Sequence, residues 1–142
     1  MASTTIYGSF AEDVAKGNID LDTDTFYIML TTGYTPNAST HTKRSDVTAS
    51  EITGTGYTAG GQALGSITVN RSGAVTTFDA ADSSWTTSTI TSDKAVIYKR
   101  RGGAASADEL VCCLDFGSTT STAGTFTVQF GASGILTFTV NA

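Results

Sequence analysis

The apolar residues of this chain fall into short segments separated by turn residues. The most apolar segment, residues 25–31 (TFYIMLT), lacks polar alternation and predicts a central strand that is buried on both faces. Because no helices of crossover length separate the strand-like segments, the pattern predicts an all-β fold, either a sandwich, a barrel or a jelly roll. The further predicted strands lie at residues 62–69, 74–78, 84–91, 95–100, 110–116, 125–130 and 135–140.

Two clusters of turn residues predict β-hairpins between the strands that flank them. Residues 70–73 (NRSG) form one cluster, and residues 131–134 (GASG) form the other. Alternation along the strand before the second turn places Phe126, Val128 and Phe130 on its inward face.

One short helix is predicted near the N-terminus. Ser9 followed by Glu12 three residues later is the pattern of a capping box, in which each side chain bonds a free backbone N–H of the first turn. Phe10 and Val14 would form the apolar face, and Gly17 is a natural stop. Two turns of helix are not stable alone in water, so we expect this helix to pack on the sheet.

Residues 32–61 form a long polar segment that interrupts the regular spacing of strands. Loops of this length are usually functional or mobile. Tyr34 and Tyr57 lie within it, and tyrosines either contact a partner or pin such a loop to its own domain. Lys43 and Arg44 give the segment a basic pair.

The N-terminal residues have two interpretations. Residues 1–9 can form an extended arm, in which Ala2 to Tyr7 become ordered on contact with a partner through Ile6 and Tyr7. Alternatively, they form the first strand of the domain's own sheet.

Composition and charge reduce the number of function classes that fit the chain. The 142 residues suit one domain, residues 1–142, with 39% hydrophobic and 15% charged residues. A net charge of −5 argues against nucleic-acid binding. No apolar run approaches the ~20 residues that span a bilayer, so no membrane partner is expected. The first ten residues carry no positive region followed by an apolar core, so we expect no secretory signal.

The two cysteines, Cys112 and Cys113, are adjacent in a predicted strand. Alternation would direct them to opposite faces, and their spacing suits neither a metal site nor an unstrained disulfide. We therefore expect two buried thiols and synthesis in a reducing compartment.

Asp20, Asp22 and Asp24 are the strongest candidate for a metal site. A calcium loop of the EF-hand type needs Gly at its sixth position and Glu at its twelfth. Counted from Asp20, those positions hold Thr25 and Thr31. A calcium site of another type stays open, but the favoured interpretation is a turn in which side-chain oxygens accept backbone N–H groups.

Other candidates for chemistry are weaker, so no catalytic, cofactor or metal site is predicted. His41 is the single histidine and lies in the polar segment, where we expect an exposed residue without a role. The sequence GTGYTAGG at 54–61 lacks the Lys of a phosphate loop and indicates a turn where backbones come close. The basic run at 99–101 is typical of a solvated strand end, or it pairs with carboxylates of a partner.

Several stretches, taken together and in order, resemble a known family. These are residues 10–30, 45–47, 53–64, 85–90 (WTTSTI), 95–99 (AVIYK), 114–118 (LDFGS) and 134–140 (GILTFTV). They are similar to capsid cement, or decoration, proteins of tailed bacteriophages. The resemblance implies a jelly-roll-like β-sandwich that binds the outer surface of the assembled capsid and bridges neighbouring major capsid subunits. It implies no catalytic residues and no cofactor.

A cement protein of this kind would be made in the host cytoplasm and would act on the virion. Self-association would add avidity, and a symmetric dimer is the commonest closed oligomer, with a trimer as the alternative. The rival functions are a tail or fibre protein that binds a receptor or carbohydrate and, least favoured, an enzyme. The residues predicted to contact the capsid or a second copy are Ile6, Tyr7, Tyr34, Lys43, Arg44 and Tyr57.

Overall fold

The chain is built mainly from antiparallel strands, with one α-helix. A computed structural model describes residues 3–140. Its strands are β1 (Ser3–Ile6), β2 (Phe26–Thr31), β3 (Gln62–Ala63), β4 (Thr68–Ser72), β5 (Val75–Asp79), β6 (Ser83–Lys99), β7 (Leu110–Val128) and β8 (Leu136–Thr139). The helix α1 spans Gly8–Ala15, and 3₁₀ turns occupy Arg44–Asp46, Thr48–Ser50 and Ala105–Ala107.

The strands form two antiparallel sheets. The larger sheet has five strands in the order β1-β7-β6-β2-β3, and the smaller has three in the order β4-β5-β8. The prediction of an all-β protein with one short N-terminal helix is confirmed. The β-sandwich and its jelly-roll arrangement are not confirmed and stay predictions.

Strand β2 is buried on both faces, as its unbroken apolar sequence predicted. Phe26, Ile28 and Leu30 belong to the main core. Met29 points the other way, into a second apolar cluster. This second cluster consists of Tyr7, Met29, Tyr34, Val47, Val96, Tyr98, Leu110 and Cys113.

The adjacent cysteines divide between the same two clusters. Cys112 belongs to the main core and Cys113 to the second cluster, and both thiols are free. The prediction that they face opposite sides of a strand is therefore confirmed. Burial is the main reason why the pKa of Cys113 rises to about 12.

The prediction of uniformly short strands is wrong for the middle of the chain. Strand β6 has 17 residues and joins the predicted strands at 84–91 and 95–100. Strand β7 has 19 residues and joins the predicted strands at 110–116 and 125–130. The Ser, Thr and Gly residues between the apolar segments look like turn residues, but in the fold they continue the strands through several β-bulges.

These two paired strands bend sharply instead of running straight. The rings of Phe116 and Phe126 lie 5.9 Å apart between centroids. On a straight strand their separation would be about 33 Å. Left-handed backbone at Thr87, Gly117 and Ala123 accompanies the bulges that make this bend.

The two predicted hairpins have different outcomes. Strands β4 and β5 form a hairpin, although its turn is tighter than predicted, because Ser72 already pairs with Val75. The prediction of a hairpin across residues 131–134 is wrong. There, β8 leaves β7 and pairs with β5, with Leu136 opposite Phe78. The turn sequence marked a reversal correctly but could not show which strand would receive the chain.

Helix α1 packs on the sheets, as its length required. Phe10 is buried and stacks on Phe138 of β8 at 5.9 Å between ring centroids. Gly17 ends the helical region with φ of 77°, the left-handed conformation expected just past a helix end.

The predicted capping box of this helix is wrong. The N-cap is Tyr7, and no side chain caps the first turn. The Ser9 hydroxyl is buried without a hydrogen-bond partner. Glu12 instead pairs with Lys16 one turn later, at 2.9 Å. The helix begins two residues earlier than the motif implied, so Ser9 lies inside the first turn and cannot cap it.

The N-terminal residues adopt the second of their two interpretations. Strand β1 pairs with β7, with Ser3 opposite Asp115 and Ile6 opposite Cys112. It is an edge strand of the larger sheet, and Ala2 of the predicted arm lies outside the described residues. Within residues 3–140, no helix is long and apolar enough to cross a membrane.

Candidate functional site

The polar segment 32–61 is held against its own domain by buried tyrosines. The Tyr7 and Tyr34 hydroxyls lie 2.8 Å apart, and Tyr34 is only 4% exposed. Burial, together with the hydrogen bond to Tyr34, raises the pKa of Tyr7 well above its usual value. Of the two roles considered for Tyr34, the structure therefore supports pinning, and neither Tyr7 nor Tyr34 offers surface to a partner.

His41 extends this hydrogen-bond chain and is not the exposed residue that we predicted. Its Nδ1 accepts the backbone N–H of Asn37 at 3.2 Å and lies 2.7 Å from the Tyr34 hydroxyl. Because Nδ1 accepts from Asn37, the ring proton lies on Nε2, Tyr34 donates to His41, and Tyr7 donates to Tyr34. The ring also stacks on Tyr34 at 5.6 Å between centroids.

Tyr57 anchors the other end of the segment. Its hydroxyl donates to Glu51 Oε2 at 2.7 Å and accepts the Leu30 backbone N–H at 3.0 Å. The same Glu51 oxygen accepts the Gly60 backbone N–H at 2.6 Å. Burial and the Glu51 carboxylate raise the pKa of Tyr57. Tyr57 thus fixes the segment against strand β2.

The glycine-rich stretch 54–61 is a close approach of two backbones, as predicted. A Cβ atom on Gly61 would lie 1.8 Å from the Ile28 carbonyl oxygen, and one on Gly54 would lie 2.7 Å from the Thr89 carbonyl oxygen. Both glycines also have positive φ. Only glycine allows the segment to lie this close to the larger sheet.

The basic pair of the segment faces inward. Arg44 Nε donates to Asp108 Oδ2 at 2.8 Å, and the Asp108 side chain is 1% exposed. Lys43 lies 3.6 Å from Glu109, which Arg101 also contacts at 2.6 Å. Burial is the largest single influence on Glu109 and would raise its pKa. The hydrogen bonds from Arg101, a backbone hydrogen bond and the charges of Lys43 and Arg101 together hold the pKa below its usual range. These charges tie the segment to the loop before β7.

The remaining basic residues of the run at 99–101 also find partners within the chain. Lys99 Nζ lies 2.8 Å from Asp24 Oδ2. The Arg100 guanidinium lies over the Tyr27 ring, 4.4 Å from its centroid. The run is therefore an internally paired strand end.

The three aspartates form the turn that the sequence favoured. Asp24 Oδ2 accepts the backbone N–H of Asp20 at 2.7 Å, and Asp20 Oδ1 accepts that of Asp22 at 3.0 Å. In the part of the chain that the structure describes, no three His, Cys, Asp or Glu side chains are grouped so as to hold a metal ion.

Of the predicted contact residues, Ile6 keeps the most surface, with 43% of it exposed. Lys43 keeps 35% of its side chain exposed and Arg44 only 15%. Ile6 and Lys43 thus keep surface that a partner can reach, and their contact role stays a prediction.

A further exposed surface is formed by the outer parts of β6 and β7. We call residues 83–92 and 118–128 the ribbon. Its outward positions carry hydroxyl groups and no charge, and two hydroxyl pairs join the strands: Ser84 to Thr127 at 2.9 Å and Thr91 to Thr120 at 2.8 Å. The exposed hydroxyl residues are Ser84, Thr86, Thr87, Thr89, Thr91, Ser118, Thr119, Thr120, Thr122, Thr125 and Thr127.

The inner side of the ribbon fixes it to the core. Trp85 and Phe126 are at most 5% exposed and contact each other edge to face at 6.3 Å. The buried Ser88 and Ser121 hydroxyls lie 2.7 Å apart. The sequence predicted strands at 84–91 and 125–130, but residues 118–124 were missed because their Ser, Thr and Gly residues resemble a loop. The signal for the inner side of β7 was the alternation of Phe126 and Val128 with Thr125 and Thr127.

Neither edge of the ribbon has a neighbouring strand within residues 3–140. Strand β2 pairs with β6 only over residues 94–99, and the β6 edge of the ribbon meets segment 32–61 at a single bridge between Thr89 and Thr55. Strand β1 covers β7 at residues 112–115, and β6 covers its other side. From Ser118 to Val128, no backbone group within residues 3–140 pairs with the outer edge of β7. We call this stretch the free edge.

A cleft of about 650 Å³ lies beside the free edge. Both arms of the bent strand β7 line it, through Leu114, Phe116 and Val128, and the loop after β7 adds Phe130 and Ile135. Its polar lining consists of neutral residues, among them Thr119, Thr127 and Gln129, and no lining residue is charged.

A shallower depression of about 410 Å³ lies where the ribbon meets segment 32–61. Threonines supply most of its polar lining, and Glu51 adds the single carboxylate. Its remaining lining residues are Thr32, Ile52, Thr53, Thr89, Ile90, Thr91, Thr120 and Ser121.

These surfaces can bind through neutral hydrogen bonds, backbone pairing and apolar contact. Comparisons of the chain with protein-family models, with curated proteins and with solved structures found no match.

Proposed function

We propose that this chain is a non-enzymatic structural protein of a tailed-phage virion, which binds the outer surface of the assembled capsid and cements neighbouring major capsid subunits. The observation that carries the proposal is the ribbon, an uncharged hydroxyl surface with a free strand edge. The sequence resemblance to capsid decoration proteins supports the same function, and the jelly-roll-like sandwich is part of the proposal.

The physical basis of cementing is preferential binding to the assembled state. A protein that binds only the assembled lattice stabilises it by RT ln(1 + [L]/Kd), which is about 2.7 kcal/mol per site at a hundredfold excess over Kd. Repetition over a symmetric shell multiplies this term. A homodimer, or alternatively a trimer, would add avidity.

The proposal also defines the partners and location. The major capsid protein is the partner, with no nucleic acid, membrane or cofactor involved. The chain is made in the host cytoplasm and resides on the outer capsid surface.

Antibody labelling in the electron microscope tests the proposal. Antibodies raised against the purified chain are applied to phage particles released by cells that carry this sequence. We expect label on the heads of intact particles. Label confined to tails or fibres, or particles without label, would overturn the proposal.

The depression beside Glu51 favours a second candidate, a tail or fibre protein that binds a receptor or carbohydrate. Neutral hydroxyl groups, one carboxylate and the flanking Ile52 and Ile90 supply the polar and apolar contacts that a sugar uses. A glycan array probed with the purified chain separates the two functions. Binding that Thr53→Trp abolishes, together with label on tails, would favour this candidate.

A further inference from the structure

We propose that the free edge and the adjoining cleft form one docking site for an extended, uncharged segment of the partner protein. The segment would join β7 as an added strand and place an apolar side chain between Phe116 and Phe130. The inference rests on the proposed function, in which the partner is a capsid subunit.

The free edge supplies the first argument. An exposed strand edge presents unpaired N–H and C=O groups, and proteins usually protect such edges with charges or proline. Residues 118–128 (STTSTAGTFTV) contain neither. The one protective feature is the bulge near Ala123, whose φ is 47°. It divides the free edge into two short stretches, each long enough for a few backbone hydrogen bonds.

The cleft supplies the second argument. Phe116 and Phe130 are only partly buried, although both pack against the main core. Their uncovered surface lines a space of about 650 Å³, which is in the range of typical binding pockets. Since no lining residue is charged, a charged side chain placed there would lose its hydration without gaining a partner. The cleft therefore selects a neutral, apolar group.

The two features are continuous, which is why we treat them as one site. Thr119, Thr127 and Val128 belong both to the free edge and to the cleft lining. Side chains alternate along a strand, so every second residue of an added strand faces the core side of the sheet, where the cleft lies. Backbone pairing would provide affinity, and the cleft would provide selectivity.

Two variants block the site without removing a buried side chain. Thr119→Lys places a charge at the cleft, and Ala132→Trp fills it from an exposed loop position. Thr86→Lys is the matched control, since it adds the same charge to an exposed ribbon threonine that does not line the cleft. Circular dichroism and thermal unfolding confirm that each variant is folded.

The first measurement uses particles purified from cells in which the gene for this chain is deleted. Purified wild-type chain and variants are added, and the bound copies are quantified. We expect both cleft variants to bind at least tenfold more weakly and Thr86→Lys to bind like wild type. Hydrogen exchange should show protection of residues 118–128 on binding. Equal binding by all variants, or no protection there, would overturn the docking site but leave the proposed function intact.

The second measurement does not depend on capsids. The immobilised chain selects binders from a displayed library of random twelve-residue peptides. We expect uncharged peptides with alternating apolar residues, whose binding Thr119→Lys removes and Thr86→Lys retains. Peptides that are insensitive to Thr119→Lys, or a selection without binders, would overturn the site even if antibodies label the capsid. If the wild-type chain does not bind particles but such peptides emerge, the capsid function fails and the docking site survives.

A second copy of this chain is the competing occupant. Analytical ultracentrifugation tests it directly. A dimer that Thr119→Lys dissociates and Thr86→Lys does not would assign the free edge to self-association and overturn the partner segment as its occupant.

Discussion

Segment 32–61 and the ribbon are both long, polar and rich in Thr, yet they use their polar groups in opposite ways. In the segment, tyrosines and charged residues turn inward, as in the Tyr34 hydroxyl that contacts His41 and the Arg44 guanidinium that contacts Asp108. In the ribbon, buried Trp85 and Phe126 anchor the strands and the hydroxyl groups remain outside.

The difference shows that residue type alone is a poor guide to a contact surface. Tyr and Arg are enriched at interfaces because they combine apolar area with a polar end. The same property allows them to fix a loop over the protein's own core. The ribbon contains neither residue, and its hydroxyl groups stay exposed at the surface.

The largest effect that would test this comparison is expected at Gly61. In Gly61→Ala, the new Cβ would overlap the Ile28 carbonyl and would require a strained φ of 81°. We expect the free energy of unfolding to fall by more than ~4 kcal/mol, or the chain not to fold. Urea denaturation measures the loss. Gly65→Ala is the control, since nothing lies within 4 Å of its Cβ. Equal stability of the two variants would show that segment 32–61 does not lie against the sheet.

The next largest loss of stability is expected at Asp108. Its side chain is the most buried carboxylate that pairs with a basic residue of segment 32–61. Asp108→Ala leaves Arg44 with 15% exposure and no carboxylate at its Nε. Breaking such a buried pair costs about 3 kcal/mol. Denaturant unfolding should show this loss, and Asp22→Ala, on an exposed turn, should change stability by less than ~0.5 kcal/mol. A neutral effect of Asp108→Ala would mean that charge does not hold the segment.

The hydrogen bonds that link Tyr7, Tyr34 and His41 should contribute less to stability than the ion pair of Asp108. Tyr34→Phe removes the hydroxyl between Tyr7 and His41 and leaves the buried Tyr7 donor unpaired. We expect a loss of about 2 kcal/mol in the free energy of unfolding. Tyr27→Phe, at a partly buried tyrosine whose hydroxyl makes no side-chain hydrogen bond within residues 3–140, is the control. If both variants lose the same stability, the hydroxyl chain does not pin the segment.

A dependence on alkaline pH should come from buried thiols and tyrosines, among them Cys113 of the second cluster, and not from the ribbon. Burial raises the pKa of Cys113 to about 12 from the ordinary value of 9.0. Above pH 9 the unfolded chain therefore loses this proton while the folded chain keeps it, so stability falls as pH rises, by up to about 1.4 kcal/mol per pH unit. Unfolding at several pH values should show a shallower slope for Cys113→Ala than for wild type. Identical slopes would contradict the assignment.

The smallest effect is expected within the ribbon. Thr91→Val removes an exposed hydroxyl that lies 2.8 Å from that of Thr120. Cross-strand pairs of this kind contribute little, so we expect a change in unfolding free energy of less than ~0.5 kcal/mol. A large loss in thermal unfolding would show that the ribbon hydroxyls stabilise the fold, and the contrast between the two regions would disappear.

Local features were predictable from the sequence. The apolar run of β2, the glycine after α1 and the aspartate turn each follow from interactions between residues close in sequence. The strand that pairs with β8 was not predictable, because a turn sequence specifies a reversal of the chain but not the strand beside which the chain then lies. The bend of β7 was missed for a related reason. Bulges made by Thr, Ala and Gly residues have the composition of an ordinary loop.

The candidate site shows the same limit. Its residues were visible in the sequence as alternating Thr and apolar positions, but the free edge exists only because β1 ends at residues that pair with 112–115. The cleft exists only because Phe116 and Phe126 are brought together by the bend.

The sequence by itself determined the class of this protein. Alternation and β-branched residues require strands, a mostly neutral composition restricts charge, and glycine marks the places where backbones must approach. Only the tertiary structure decided which tyrosines and arginines became internal and which stretches of strand edge stayed unpaired. The physical reason is that side-chain periodicity specifies which face of an element is buried, whereas its neighbour is chosen by packing among residues far apart in the chain.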